Sequence, residues 1–405
     1  MGKSAVGNGE IECRLPIADS PLPPLTYTEP MMFEIVDPFL LVFDGGVGGS
    51  AVEDMVAAAR RAAALDSLER ALGTGAFAGG LLVTDRPVET DLPRGLEVVR
   101  SSEPFHFGEV LAQTIRQRRL ARPVVFGAGA LPLLTADEFA AIAARLASVD
   151  ALAITNNFYS SDLAAWTPGV AIERVTALPE SDNPLPRMLR EQAELPVESL
   201  PRTIATLLDI DTPTALAALA LYGRTGPRLA RFLGTLNLDL TRYRRVMACV
   251  VDRTRTLLVA GRVGSHAWQF LERNTACRVR LYAEERGMQA DGREAAGLVQ
   301  SLLGHYIDAA GLDHTVRMLG GMADAVCLDS RVLTAHAHRQ PSREDRFNSD
   351  LGRADRIADP MLRDLTAAAQ SASIPILLGS HALVSGGLMA LIQAAWDEYD
   401  RGSRE

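Results

Sequence analysis

The chain has 405 residues, of which 47% are hydrophobic and 22% charged, so it can bury a sizeable core and is not a disordered protein. Its length predicts two domains. The net charge of −9 argues against a nucleic-acid binder, which needs a basic surface. Lys3 is the one lysine, so P-loop NTPases and pyridoxal-phosphate enzymes are excluded and arginine must bind any phosphate.

Cysteine spacing and hydropathy indicate the compartment. Cys13, Cys249, Cys277 and Cys327 lie far apart without a C-x-x-C pair, a spacing typical of reduced thiols in a cytosol. No apolar stretch reaches about 18 residues, and the N-terminus lacks the pattern of a signal peptide. The sequence therefore predicts a cytoplasmic protein with neither membrane nor nucleic-acid partners.

The first half of the chain alternates between strand and helix patterns. Residues 1–30 are rich in Gly and Pro and are predicted to form an extended arm. Strands are predicted at 39–43, 81–84, 96–99, 123–127, 151–155, 170–178 and, as a short edge, 207–211. Helices are predicted at 50–72, 107–119, 136–147, 184–193 and from Thr212. Apolar strands separated by helices predict a parallel sheet with both sides covered.

The second half repeats this alternation. A Gly- and Arg-rich stretch at 223–245 is predicted to be a helical connector between domains at 31–222 and 246–405. Strands are predicted at 256–261, 278–284, 324–333 and 374–379, and helices at 265–274, 293–321 and 385–399. The charged segment 336–358 is predicted to be a long irregular loop, which in a compact domain is usually functional or mobile.

A glycine-rich turn, DGGVGGS (44–50), lies between a predicted strand and a predicted helix. Glycines let a backbone approach a ligand closely, and a helix N-terminus attracts anions. The predicted phosphate-binding residues are Gly45, Gly46, Gly48, Gly49 and Ser50. A flexible turn without a ligand is the alternative interpretation.

The segment TNNFYSSD (155–162) follows another predicted strand. Asn156 and Asn157 are predicted to contact a base or sugar, and Asp162 to bind a ribose hydroxyl or a metal. A turn that caps the next helix is the alternative, because Asn, Ser and Asp are favoured in turns and caps.

Taken together, four segments resemble the nucleotidyltransferases of the glycosyltransferase-A-like fold, especially the molybdopterin-cofactor and deazaflavin-cofactor type NTP-transferases. DGGVGGS resembles their Gly-rich loop, 64–85 their next helix and strand, and 124–139 their metal-site segment. LLDIDTPTALAAL (207–219) resembles their D-[IV]-[DN]-T-P-x-D-L ending. The resemblance covers roughly residues 33–222 and implies a glycosyltransferase-A-like nucleotidyltransferase domain.

The chain departs from that family at the charged positions. The family's metal-binding Asp before x-P-L-L is replaced by Ala130, and its loop Arg and Lys by Ser50, Ala51 and Ala64. Phosphoryl transfer depends on a cation and on fixed positive charge, so the reaction is altered or the domain only binds. The resemblance then implies Asp209 and Asp211 as catalytic residues and as ligands of a weakly bound Mg²⁺. Further candidate carboxylates are Asp44, Asp162 and Asp182.

Residues 256–287 are predicted to begin a Rossmann-like α/β domain. Arg262 and His266 lie in the turn and helix that follow the first strand, where a phosphate would bind. Glu284 ends the second strand about 20 residues after Gly264, where an acid accepts ribose hydroxyl hydrogens.

Two more predicted strand ends in this half carry polar groups. Asp329, Arg331 and His381 are predicted to be catalytic, and Ser385 to contact a phosphate. The three strand ends should converge, because ligands of an open parallel sheet bind outside the carboxyl ends of its strands. The structural alternatives are an Asp329–Arg331 ion pair and a helix cap by His381. His336 and His338 could chelate a metal from one side of a strand.

The leading hypothesis is a nucleotidyltransferase-like protein that binds a nucleotide and a small phosphorylated or acidic acceptor. One alternative is a catalytically degenerate nucleotide-binding or scaffold protein. Another is an enzyme whose active site lies in the C-terminal domain. The base, the acceptor and a homodimer are left open.

Overall fold

The computed structural model describes residues 35–87, 91–101 and 104–403. The predicted arm at 1–30 and Cys13 lie outside these ranges. The described residues belong to one compact unit, and their strands form two sheets. Within this part of the chain, no helix combines the length and the apolar character needed to cross a bilayer.

The first sheet is built from the first half of the chain. Its described strands are β1 (Phe39–Asp44), β2 (Gly79–Thr84), β3 (Leu96–Arg100), β4 (Pro123–Gly127), β5 (Leu152–Thr155), β6 (Leu163–Thr167) and β7 (Val197–Ser199). Their order is β3-β2-β1-β4-β6-β5-β7. Strand β6 runs antiparallel to β4 and β5, and the other neighbours are parallel. Strands β1, β2 and β4 are buried along their length, as in sheets with helices on both sides.

Local sequence signals set where the helices of this half begin. The described helices of this half are α1 (Ala51–Leu72), α2 (Phe107–Arg118), α3 (Ala136–Ala147), α4 (Leu185–Glu191), α5 (Ile204–Leu207) and α6 (Pro213–Tyr222). The Ser50 hydroxyl accepts a hydrogen bond from the N–H of Glu53 and caps α1. Thr135 and Glu138 form a capping box at α3. Pro213 occupies the first turn of α6, where its missing N–H costs nothing.

The second sheet is wholly parallel. Its described strands are β8 (Thr256–Gly261), β9 (Arg278–Ala283), β10 (Ala325–Asp329) and β11 (Ile376–Gly379), in the order β11-β10-β8-β9. The helices of this half are α7 (Pro227–Thr235), α8 (Thr241–Val250), α9 (Ser265–Asn274), α10 (Leu302–Ala310), α11 (Leu312–Met322), α12 (Ser330–His336), α13 (Arg343–Asp350), α14 (Pro360–Ser371) and α15 (Gly386–Gly402). The α/β class predicted from the sequence is confirmed.

One apolar cluster joins the two halves. Val56 of α1 packs in it with Phe347 of α13 and Ala390 of α15. Leu208 and Ile210 belong to the same cluster, and both are fully buried. Because these two side chains flank an aspartate, the packing of both halves fixes the position of the acidic segment 209–211.

Three predictions for the first half are wrong. Residues 170–178 do not form a strand; a 3₁₀ turn occupies Gly169–Arg174. The segment 155–162 caps no helix, because it joins the hairpin strands β5 and β6. The predicted edge at 207–211 is the end of α5 and an irregular stretch, although its apolar residues alternate as in a strand. Those side chains pack among helices instead.

In the second half the predicted strand at 324–333 stops at Asp329. The Asp329 carboxylate accepts a hydrogen bond from the N–H of Arg331 and caps α12, which ends the strand. His336 therefore ends a helix, and His338 follows it with a φ of 52°. The two histidines do not share one side of a strand.

Two further segments differ from their predicted form. The region 336–358, predicted to be irregular, contains α13, which Ser342 caps by accepting from the N–H of Asp345. Phe347 on this helix is buried, so α13 is held by its apolar contacts. The predicted helical region 293–321 begins only at Leu302, where α10 starts.

Candidate functional site

Acidic side chains converge beside β4 and the β5–β6 hairpin. Asp162 precedes β6, and Asp182 lies before α4 with its carboxylate beside Gly127, 3.5 Å from where a Cβ would sit there. Burial raises the pKa of Asp162 to about 7, and repulsion from Asp182 and Asp211 adds to the effect. Burial also raises the pKa of Asp182 to about 6. These carboxylates are therefore held close together at an energetic cost.

Asp209 is the most deeply buried member of this acidic group, with 7% of its surface exposed. Burial, followed by repulsion from Asp211, raises the pKa of Asp209 well above its usual range. Its Oδ1 atom has no hydrogen-bond partner within the described ranges. An unpaired buried carboxylate oxygen is costly, so this atom is a strong acceptor without a donor.

His381 brings a nitrogen ligand to the same place. Asp209, Asp211 and His381 each offer a ligand atom, and these atoms lie within 4.8 Å of one another. Burial lowers the pKa of His381, and Arg262 lowers it further, so the imidazole is neutral at pH 7. Neutral imidazole is the form that binds metals. Ser380, not His381, caps the following turn by accepting from the N–H of Ala382.

The segment that contains Gly129 and Ala130 holds the acidic segment 209–211 in place. The Ile210 N–H donates to the carbonyl oxygen of Gly129 at 2.8 Å. A Cβ at Gly129 would lie 2.7 Å from the Ile210 carbonyl oxygen and 3.1 Å from Nε of Arg60, so the close approach requires glycine. Ala130 is buried and contributes only packing. The positive charge of Arg60 opposes the pKa increase of Asp162.

The glycine-rich loop has the conformation that only glycine adopts freely. Gly46, Gly48 and Gly49 have φ values of 71°, 152° and 120°. Arg343 Nη1 donates to the carbonyl oxygen of Gly46 at 2.6 Å. Arg86 Nη2 lies 2.8 Å from where a Cβ of Gly48 would sit. The loop itself contains no arginine or lysine, but Arg86 and Arg343 from other segments lie beside it.

Other predicted residues of the first half have structural partners. Asp44 is buried and forms an ion pair with Arg61, so it does not replace the missing ligand. The side-chain oxygen of Asn156 accepts from the N–H groups of Asp162 and Leu163, which orients Asp162. Asn157 accepts a hydrogen bond from Arg202 at 3.4 Å.

Ion pairs occupy three of the predicted groups in the second half. Arg262 donates to both oxygens of Asp329, at 2.6 and 3.1 Å, and Asp329 is fully buried. Arg331 Nη2 donates to Asp350 at 2.8 Å. The sequence suggested an ion pair between Asp329 and Arg331 as the structural alternative. Both residues do form ion pairs, but Asp329 pairs with Arg262 and Arg331 pairs with Asp350.

The remaining predicted groups lie at turns and helix starts. Glu284 accepts from the hydroxyl of Ser301 at 2.6 Å and from the N–H of Leu302 at 3.0 Å, at the start of α10. The Ser385 hydroxyl donates to the carbonyl oxygen of His381 at 2.7 Å. His266 lies exposed in the first turn of α9.

Sequence reasoning missed the arginines of this site. Arg60 and Arg86 lie within a helix and after a strand, in no motif that marks a ligand. Arg343 lies in a segment predicted to be irregular. Asp209, Asp211 and His381 were predicted separately, in two different halves, and the structure brings them together.

Comparisons with known proteins give limited similarity. No family model matches the chain, and no curated protein matches it. A predicted nucleotide-diphospho-sugar transferase from Desulfovibrio desulfuricans G20 is 15% identical, over 50% of this chain and 100% of that one, with a TM-score of 0.37. Rv0371c from Mycobacterium tuberculosis H37Rv is 12% identical, over 42% of this chain and 89% of that one, with a TM-score of 0.28. Neither similarity determines what this chain does.

Proposed function

We propose that the chain is a nucleotidyltransferase-type enzyme whose active site joins the 45–50 loop to Asp209, Asp211 and His381. The observation that carries the proposal is the Oδ1 atom of Asp209, which is buried and unpaired within the described ranges. Asp209 itself belongs to a group of three residues that each offer a ligand atom, and these atoms lie within 4.8 Å of one another. Buried carboxylates in proteins are paired or coordinate metals, so a bound cation would stabilise this unpaired acidic group.

The residues fit a divalent cation. Asp209 and Asp211 would supply oxygen ligands, and His381 a neutral imidazole nitrogen. A cation held by these residues would supply positive charge to neutralise the phosphates of a nucleotide. Mg²⁺ prefers oxygen ligands, whereas imidazole suits first-row transition ions, so Mg²⁺ binds more weakly than Mn²⁺. The resemblance also implies a weak Mg²⁺ site, because Ala130 stands where the resembled family has a metal-binding aspartate.

The other residues bind and orient the nucleotide. Backbone N–H groups of the 45–50 loop and the N-terminus of α1 attract its phosphates. Arg86 and Arg343 supply fixed positive charge in place of the lysine that the chain lacks. Asn156 holds Asp162 beside the cation ligands, which limits how the acidic group can rearrange.

Titration of Mn²⁺ and Mg²⁺ by calorimetry, followed by assays of pyrophosphate release from ATP, GTP and CTP, tests the proposal. We expect Mn²⁺ to bind at least about tenfold more tightly than Mg²⁺. Asp209→Asn should abolish this binding. Asp355→Asn is the matched control, because it removes one exposed carboxylate far from the site in sequence and should leave the affinity unchanged.

Two results would decide against this function. Equal Mn²⁺ affinity in the wild type and in Asp209→Asn would refute the cation site. Nucleotide binding without pyrophosphate release from any of the three nucleotides would favour the degenerate binding protein instead. The burial of Ala130 in the core is the observation that favours that second candidate.

A further inference from the structure

Two histidines and an aspartate meet where α10 packs against the end of α12. His305 and Asp308 lie three positions apart on α10, so they share one face of that helix. His336 is the last residue of α12 and is buried, with 8% of its surface exposed. Each of these side chains offers one ligand atom, and the three atoms lie within 4.8 Å of one another. Side chains of two helices therefore converge on a space that suits one ion.

Gly304 allows α10 to approach His336 this closely. A Cβ at position 304 would overlap the imidazole ring of His336, so a larger residue would push the helix away. The rings of His305 and His336 pack edge to face, with their centroids 4.6 Å apart. Asp308 lies on the solvent side, because 68% of its side chain is exposed. The group is therefore held by the protein interior at His336 and is open to water at Asp308.

Hydrogen bonds orient the two imidazoles. Nε2–H of His305 donates to Oε1 of Gln300 at 2.8 Å, which leaves Nδ1 as the ring nitrogen with a lone pair for a metal. Nε2 of His336 lies 3.2 Å from Oδ2 of Asp308, and its Nδ1 accepts from the N–H of Ser301 at 3.3 Å. A cation at Nε2 of His336 moves the ring hydrogen to Nδ1 and breaks the bond from Ser301, which is longer than usual. We therefore expect micromolar rather than nanomolar affinity.

We propose that His305, Asp308 and His336 bind a zinc ion. Two imidazole nitrogens and one carboxylate oxygen form a ligand set typical of Zn²⁺, whereas Mg²⁺ and Ca²⁺ prefer oxygen ligands alone. A Zn²⁺ ion with three protein ligands keeps its fourth position for water. His305 and Asp308 are both exposed, so water would reach that position.

The zinc ion would link two helices that lie on either side of β10 in the chain. α10 precedes this strand and α12 follows it directly. Leu303 of α10 and Leu333 of α12 already belong to one apolar cluster, and a shared ion would add to that packing. The zinc site has no residue in common with Asp209, Asp211 and His381, so it does not rest on the proposed function.

Calorimetric titration of the full chain with Zn²⁺, after a chelator has removed bound metal, tests the site. Zn²⁺ also suits the ligands around Asp209, so the titration is done in Asp209→Asn. We expect one Zn²⁺ per chain, with a Kd of about 10 μM or tighter. Adding His305→Gln should raise the Kd at least about tenfold, because losing even a partner that orients a metal ligand costs about 10- to 100-fold. His314→Gln, an exposed histidine of α11 outside the group, is the matched control and should change the Kd less than about twofold.

The outcomes separate the zinc site from the proposed function. In the wild type, His305→Gln alone should lower the number of bound zinc ions by one, whether or not a cation binds at Asp209. The inference is overturned if Asp209→Asn binds no Zn²⁺ at about 100 μM, because the group is then only an ion pair of His336 with Asp308. It is also overturned if His305→Gln and His314→Gln give equal Kd values, because the zinc then binds elsewhere.

Discussion

Arg343 donates a hydrogen bond to the carbonyl oxygen of Gly46 at 2.6 Å, although 297 positions separate the two residues. The arginine begins α13, whose Phe347 packs in the same apolar cluster as Val56 of α1. The second half of the chain therefore holds the glycine-rich loop of the first half. This contact also places a positive charge beside the glycine-rich loop.

If the 45–50 loop binds the nucleotide phosphates as proposed, Arg343→Gln should weaken nucleotide binding by about three- to tenfold, because the loop loses both a hydrogen bond and a nearby positive charge. The free energy of unfolding should change by less than about 0.5 kcal/mol, since the contact is exposed. Calorimetry with ATP, GTP and CTP measures the affinity. Arg353→Gln, an exposed arginine after the same helix, is the control. Equal affinities in both variants would contradict the role of Arg343.

Asp209→Asn should stabilise the protein in the absence of cations. The carboxyl group is buried beside Asp211, which makes its ionisation costly, whereas an asparagine amide carries no charge at any pH and can donate to its neighbour. We expect a gain of about 1 kcal/mol in the free energy of unfolding at pH 8. Urea unfolding with and without Mn²⁺ measures it: the wild type should gain stability with Mn²⁺, and the variant should not. A variant less stable than the wild type in both conditions would contradict this account.

The contribution of Asp350 to the free energy of unfolding should fall as the pH rises from about 4 to 6. Burial raises the pKa of Asp350 to about 6 although Arg331 opposes the shift. The unfolded chain ionises first, near its usual pKa of 3.8, so ionisation favours unfolding as the pH increases. The pKa of Asp350 is about 6 in the folded chain and 3.8 in the unfolded chain, and this difference corresponds to about 3 kcal/mol in the free energy of unfolding.

Asp350→Asn should remove this part of the pH dependence. Urea unfolding at about pH 4.5 and pH 7 measures the difference for each protein. The exposed control Asp355→Asn should behave as the wild type. An unchanged pH dependence in Asp350→Asn would show that other groups are responsible.

Gly386→Ala should destabilise the junction of the two halves. A Cβ at Gly386, in the first turn of α15, would lie 2.4 Å from the carbonyl oxygen of Leu207, and that backbone must shift. We expect a cost of about 1–3 kcal/mol and weaker Mn²⁺ binding, because Leu207 is two residues from Asp209.

Gly321→Ala is the matched control for this variant. No atom lies within 4 Å of a Cβ at that helical position, so alanine should stabilise the protein by up to about 1 kcal/mol. Thermal unfolding of both variants measures the difference. Equal stability of the two would contradict the close contact at Gly386.

Many individual elements could be predicted because their signals are local. The predicted strand at 123–127 and helix at 136–147 match β4 and α3, and 256–261 and 265–274 match β8 and α9. A run of apolar residues determines the structure of that run, and a capping box such as Thr135 with Glu138 determines where the adjoining helix begins.

Prediction failed where one local pattern fits two structures. The alternating residues of 207–211 suit an edge strand, yet Leu208 and Ile210 are buried among helices of both halves. The apolar run at 324–333 continues past Asp329, but the aspartate side chain caps a helix there. In both cases contacts with distant segments outweigh the local preference.

The sequence by itself determined the α/β class and the chemical character of Asp209, Asp211 and His381. Only the tertiary structure decided that these three side chains meet, and that Arg343 reaches the glycine-rich loop. Secondary structure follows from interactions within a few residues, whereas these contacts join positions more than 150 residues apart. They depend on how α1, α13 and α15 pack in one shared cluster, for which no short stretch of sequence carries a signal.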